Sequence, residues 1–299
     1  MKSRFFSYLA LFFGVFALST SAIFVKLADA PSSITAFYRL FFAALILSPF
    51  LFFDKKNRHE LLSLSKRQWV FGLLSGLFLA IHYVLWFESL NYTSVASSTV
   101  IVTLQPLFSM SGGYFLFKER FSKGSILGCF IAIIGCFIIG WGDFQVSNQA
   151  LFGDLLAFIA AGIITAYFFI GQYLRKDLSL VPYSIIGYAS SAFFLAIYAC
   201  NQQVPFVHYS LQTWWSFIGL AFIATIFGQT IFNWLLKWLS VSVVSMGILG
   251  ETIGTCILAY LILDEVISLQ QGIGIAFILA GLAVFLLQQR QIVKVESLA

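Results

Sequence analysis

The sequence predicts an all-α integral membrane protein of ten transmembrane helices, arranged as two inverted five-helix repeats. Three observations carry that prediction. Of 299 residues, 60% are hydrophobic and only 10% charged, whereas soluble domains carry roughly 25% charged residues. Ten apolar runs of spanning length follow one another, separated by charges, prolines and polar clusters, and at about 20 residues per crossing they consume most of the chain. The second half also realigns with the first at one constant offset, the mark of internal duplication. A soluble catalytic domain has no room.

The first run, 5–25, follows Lys2 and Arg4 and ends near Ser19, Thr20, Ser21 and Ala22, a pattern that also suits a secretory signal peptide. A counterpart opens the second half near Asp154, so the run is assigned to the folded unit as its first span. Runs at 34–53 and 69–90 flank the longest loop, Asp54 to Gln68. The fourth, 94–117, opens at Ser94 and stops at Lys118-Glu119-Arg120, and the fifth occupies 122–141. The second five lie at 151–173, 182–200, 213–236, 240–263 and 268–288. The expected units are therefore 5–141 and 151–288, with 289–299 as a cytoplasmic tail.

Orientation follows from Lys and Arg, which are retained on the cytoplasmic side of short loops. With both termini inside, cytoplasmic segments hold Lys2, Arg4, Lys55, Lys56, Arg58, Lys66, Arg67, Lys118, Arg120, Lys123, Arg175, Lys176, Lys237, Arg290 and Lys294, which is 15 of the 17 basic residues. Lys26 falls outside and Arg39 lies within the second span. The formal charge of +5 is thus a topology signal and not a nucleic-acid footprint. Cys129, Cys136, Cys200 and Cys256 all fall inside apolar runs, without C-x-x-C or Cys/His metal spacing, and are expected to be small buried thiols.

Residues 69–140 lie over 215–286 at an offset of 146 without a gap. Trp69 falls on Trp215, Ser94 on Ser240, Val95 on Val241, Tyr114 on Tyr260 and Glu119 on Glu265, while Gly128 and Gly135 fall on Gly274 and Gly281. Because each half has an odd number of spans, the second enters the membrane upside down. Inverted repeats of this kind mark secondary transporters.

The stretch Leu90-Asn91-Tyr92-Thr93-Ser94-Val95-Ala96, with Leu104-Gln105-Pro106-Leu107, Lys118-Glu119-Arg120 and Gly128, resembles the EamA-type module of the drug/metabolite transporter superfamily. The second half resembles it through Gly153-Asp154, Leu249-Gly250-Glu251, Glu265 and Gly274, so the likeness covers nearly the whole chain. The resemblance implies two inverted five-helix repeats in a bacterial cytoplasmic membrane, a central cavity, and export of small metabolites such as amino acids. No cofactor is expected, and the expected partners are the small-molecule substrate and membrane lipids, with no nucleic acid. At Thr252 the chain departs from the module, which often has Pro there, so a kink after Glu251 is not implied.

Polar groups inside hydrocarbon are costly and are functional candidates by default. Glu251 lies mid-span in the ninth helix, and the repeat places Gln105 at the equivalent point of the fourth, near the midplane where inverted-repeat transporters bind substrate. Glu251 reads as a proton carrier, as a counter-ion for an amine-bearing substrate, or as a structural carboxyl. Pro106 lacks an N–H and frees the Val102 carbonyl to face a cavity or a neighbouring helix. His82 and Trp86, four apart, share a face with Leu79 and Ser89. Gln229 and Asn233 share another, either as substrate donors or as interhelical contacts. Trp86 and Tyr167 sit deep enough either to wall an aromatic cavity or to pack the core. Arg39 is about five residues in from its helix end, so a depth of ~7.5 Å leads to the expectation that it snorkels or reaches Glu88. Trp69, Trp141, Trp214, Trp215 and Trp238 lie at span ends, and most read as interfacial belt. Gly72-x-x-x-Gly76 and the repeated glycine pairs read as helix contacts.

No G-x-x-x-x-G-K-[ST] loop, H-E-x-x-H motif or Ser/His/Asp set at one membrane face occurs in the sequence. The reading is therefore a secondary exporter and not an enzyme, binding substrate through His82, Trp86, Gln105, Tyr167, Gln229, Asn233 and Glu251. The competing classes are a membrane enzyme acting on lipid-linked substrates, and a sensor or channel.

Overall fold

A computed structural model describes residues 2–140, 148–264 and 268–296, with side chains for 6–138, 148–264 and 268–288. The side chains of Lys2, Arg4, Trp141, Glu265, Arg290 and Lys294 lie outside the described residues. All ten expected spans are helices: α1 (Lys2–Ser19 and Ser21–Leu27), α2 (Ser32–Phe53), α3 (Lys66–Ser89), α4 (Val95–Val102 and Gln105–Phe117), α5 (Lys123–Gly140), α6 (Asn148–Leu174), α7 (Leu180–Asn201), α8 (Leu211–Leu235), α9 (Val241–Ile248 and Gly250–Leu263) and α10 (Leu269–Glu296). Among the described residues nine are long and apolar enough to cross a bilayer, and α5 supplies a shorter apolar stretch, Lys123–Ile138. The α10 helix continues to Glu296. Phe12, Phe53, Phe115 and Leu211 point outward, as side chains bathed in lipid tails can.

Local chemistry explains the helix ends. Ser65 and Gln68 form a reciprocal capping box that starts α3, and the hydroxyls of Ser94 and Ser210 accept from the Ser97 and Thr213 N–H groups to start α4 and α8. Both α4 and α9 are broken in mid-membrane, α4 at Thr103–Leu104 and α9 at Leu249. Proline sets the first break, because Pro106 cannot donate to Val102. The second forms without proline.

Packing obeys the repeat. Helices α3 and α6 form one close pair and α8 and α1 its counterpart, while α2 packs on α7, α4 on α9 and α5 on α10 across the pseudo-two-fold axis. Two details show the duplication directly. Lys118 and Asp264, 146 apart, end α4 and α9 in the same left-handed conformation, at φ 55° and 56°. In α5 and α10, Gly128 faces Gly281 and Gly135 faces Gly274 so closely that an added Cβ would lie 2.7 and 2.6 Å from the facing carbonyl oxygens.

Two sequence expectations are corrected. Cys200 is exposed at the end of α7, although Cys129, Cys136 and Cys256 are buried. Arg39 neither snorkels nor meets Glu88: it is fully buried and turned inward, and Glu88 accepts from Ser32 instead (2.9 Å). Trp214 turns inward to pack on Tyr38 and Phe217, whereas Trp215 and Trp238 remain exposed.

Candidate functional site

The breaks in α4 and α9 bring the starts of two half-helices to the centre of the bundle. Gln105 is the first residue of Gln105–Phe117 and Glu251 the second of Gly250–Leu263. Local backbone chemistry aims Gln105. The Val102 carbonyl freed by Pro106 accepts from Gln105 Nε2 (3.4 Å), which leaves Gln105 Oε1 without a partner.

Around this point lies a cavity of about 20 Å³, lined by Leu18 of α1, His82, Tyr83 and Trp86 of α3, Val102 and Gln105 of α4, Ile164 and Phe168 of α6, Gln229 of α8, and Ile248 and Glu251 of α9. Both repeats therefore contribute walls. Its volume holds about one water, too little for a metabolite, so the site is closed in this conformation.

Four buried polar atoms on the cavity residues have no partner: Trp86 Nε1, Gln105 Oε1, Gln229 Nε2 and Glu251 Oε1. An unmet buried polar group costs about 1–3 kcal/mol, so four around one cavity mark a place where a ligand or water completes the bonding. The set contains two donors and two acceptors. His82 is held differently. Its Nδ1–H donates to the Ala160 carbonyl (3.0 Å), fixing the tautomer, and its ring stacks on Trp86 with centroids 5.8 Å apart.

The α8 wall is π-helical from Leu220 to Gln229. The Thr225 hydroxyl donates to the Leu220 carbonyl and the Thr230 hydroxyl to the Thr225 carbonyl, five residues back in each case (2.8 and 2.9 Å). This wider winding ends at Gln229, and such bulges recur at functional sites.

The structure thus brings together His82, Trp86, Gln105, Gln229 and Glu251, five of the seven residues expected at the site. Tyr167 and Asn233 sit apart and satisfy each other: the Tyr167 hydroxyl donates to Asn233 Oδ1 (2.8 Å), and Asn233 Nδ2 donates to Tyr188 (3.2 Å). The cavity residues that sequence reasoning missed are mainly apolar, among them Leu18, Ile164, Phe168 and Ile248, and nothing in the sequence sets them apart from other core residues. Tyr83 did carry a signal, since it lies three residues from Trp86.

Contacts between the repeats close the site on both faces. On the face bearing the loop from Asp54 to Gln68, the Ser242 hydroxyl donates to Glu119 Oε2 (2.7 Å), and Glu60 accepts from both the N–H and the hydroxyl of Ser179. Burial pushes the Glu119 carboxyl above its ordinary 4.5, opposed by hydrogen bonds from Ser242, Gln172 and Ser240. Just past the end of α6, burial lowers the pKa of the Arg175 guanidinium, which donates to the Asn233 and Leu178 carbonyls. On the opposite face the Ser97 hydroxyl donates to Asp154 Oδ1 (3.1 Å) and the Ser33 hydroxyl to Gln202 Oε1 (2.8 Å).

Comparison with known proteins agrees with this architecture. The chain is 22% identical over 267 residues to the uncharacterized transporter YoaV of Bacillus subtilis, covering 87% of this chain and 89% of that protein. It is 28% identical over 225 residues to a protein of Escherichia coli named probable amino-acid metabolite efflux pump, covering 71% and 75%. One solved structure superposes with a TM-score of 0.77 at 18% identity, over 96% of this chain and 99% of that one, which shows a shared fold. The EamA-like transporter family model matches twice, at residues 5–141 and 151–287, one match for each five-helix repeat, and the chain belongs to that family.

Proposed function

We propose that this protein is a secondary exporter of small amphipathic metabolites, amino acids first and cationic compounds second, working by alternating access. The observation that carries the reading is the cavity with two unpartnered donors, Trp86 Nε1 and Gln229 Nε2, and two unpartnered acceptors, Gln105 Oε1 and Glu251 Oε1. An α-amino acid carries the complementary set. Its ammonium donates to Glu251 and Gln105, its carboxylate accepts from Trp86 and Gln229, and its side chain rests on Phe168, Ile164 and Leu18.

Substrate enters when the contacts on one face open and leaves when those on the other do, with the broken helices α4 and α9 as the hinges. The Lys- and Arg-rich face bearing the Asp54–Gln68 loop is the cytoplasmic one, and bacterial relatives support a bacterial cytoplasmic membrane. The name of the Escherichia coli relative supports amino acids as the first substrates to try.

Counterflow in proteoliposomes tests the proposal. Vesicles loaded with an unlabelled amino acid should accumulate the labelled one above the level of protein-free vesicles for at least one member of a panel. Accumulation of none, together with turnover of a lipid-linked substrate, would replace the exporter by a membrane enzyme.

A further inference from the structure

We infer that Arg39 is the fixed protein cation that balances Glu251, and that this balance makes the cavity favour substrates without net charge over singly charged ones. The inference rests on the transporter reading above and names the substrate property that the site measures.

Arg39 of α2 is fully buried. Its Nε–H donates to Thr225 Oγ1 (2.9 Å), its Nη1–H donates to Ser21 Oγ (2.5 Å), and its guanidinium carbon lies 4.2 Å from the Tyr83 ring centroid. Its Nη2 has no partner. Each support adjoins the cavity. Tyr83 lines it, Thr225 lies four residues before the cavity residue Gln229, and Ser21 lies two residues after Ser19, whose hydroxyl donates to the Glu251 carbonyl (3.2 Å). Arg39 therefore forms the layer directly behind the wall.

A guanidinium stays charged in a protein, and an uncompensated charge at this depth is costly. Arg39 is coupled electrostatically to Glu251, Tyr83, Tyr188 and His82. Glu251 is the one carboxyl in that set. The two charges do not meet as an ion pair among the described residues, so Glu251 Oε1 stays open to a ligand. An empty site with both groups charged is neutral and remains neutral with a zwitterion bound. A bare amine or a bare carboxylate leaves one charge unbalanced where the dielectric is low and binds more weakly, which ranks cationic compounds behind amino acids.

The test uses the full-length protein and three probes sharing one ring: phenylalanine, phenethylamine and 3-phenylpropanoate, measured by equilibrium binding. Wild type should favour phenylalanine over both others. Arg39→Gln should shift the amine-to-phenylalanine affinity ratio at least tenfold toward the amine, and Glu251→Gln should shift the acid-to-phenylalanine ratio at least tenfold toward the acid. The double variant should return toward the wild-type order. Each single variant is read independently, so Glu251→Gln decides the matter if Arg39→Gln does not fold. Wild-type ratios preserved within twofold in the folded single variants would overturn the inference alone. Wild type that binds none of the three would overturn both the inference and the substrate class it rests on.

Discussion

The hydroxyl oxygens of Thr103 and Thr252 lie 3.0 Å apart at the centre of the molecule, joining the broken helices α4 and α9 across the two repeats. Thr103 also donates to the Val100 carbonyl (2.8 Å), so it accepts from Thr252. Thr252 stands where the family module often has Pro, and the hydroxyl makes an interhelical bond that a proline has no group to make. A double-mutant cycle of Thr103→Val and Thr252→Val should show coupling of about 0.6 kcal/mol in unfolding free energy, the usual size for such bonds in membranes. Strict additivity would mean that the hydroxyls do not communicate.

Trp86 should contribute its N–H to substrate. Trp86→Phe keeps an aromatic ring against His82 but removes the donor, and the loss of one hydrogen bond worth about 1 kcal/mol should raise the KM for the best substrate roughly fivefold. Thermal stability should change little. An unaltered KM would assign Trp86 to packing.

The glycines of the α5–α10 contact should tolerate no enlargement. In Gly128→Ala the new methyl would lie 2.7 Å from both the Gly281 oxygen and the Phe285 nitrogen, backbone atoms that have no rotamer to escape into. A destabilisation of about 1–3 kcal/mol is expected. Gly272, near the start of α10, faces open space, so Gly272→Ala should be neutral or stabilising by up to about 1 kcal/mol. Equal effects at the two positions would refute close packing at Gly128.

Glu119 should make the closed protein sensitive to pH. A carboxyl whose folded pKa is raised holds its proton longer folded than unfolded, so stability is fully present below the unfolded value near 4.5 and declines as pH rises through the folded value. The melting temperature of wild type relative to Glu119→Gln should therefore fall as pH is raised from about 4.5 toward neutrality. A difference that is flat with pH, or that grows in favour of wild type, would contradict the burial argument.

The two membrane faces can be read by cysteine labelling. In a Cys200→Ser background, needed because Cys200 is exposed, Asn57→Cys and Asn148→Cys should label from opposite sides, Asn148 from outside. Reaction of Asn57→Cys with an impermeant reagent in intact cells would invert the proposed orientation.

The architecture was legible in the chain itself. Span positions follow from hydropathy, because the bilayer requires each crossing to be apolar and to satisfy its own backbone. The inverted pseudosymmetry follows from an offset of 146 with an odd number of spans per half. Gln105 and Glu251 could be named as the central pair for the same reason, since a duplicated chain places equivalent residues at equivalent depth.

What a helix faces, by contrast, was decided only by tertiary packing. Arg39 has the depth of a snorkelling residue, yet its direction depends on Ser21 and Thr225, which lie 18 and 186 residues away in sequence. Gln229 and Asn233 share a stripe four residues apart. One meets the cavity, and the other, a turn further along α8, is taken by Tyr167. Periodicity gives depth and face within one helix. Which atoms remain unpartnered depends on neighbours that only the assembled bundle supplies, and those free atoms define the site.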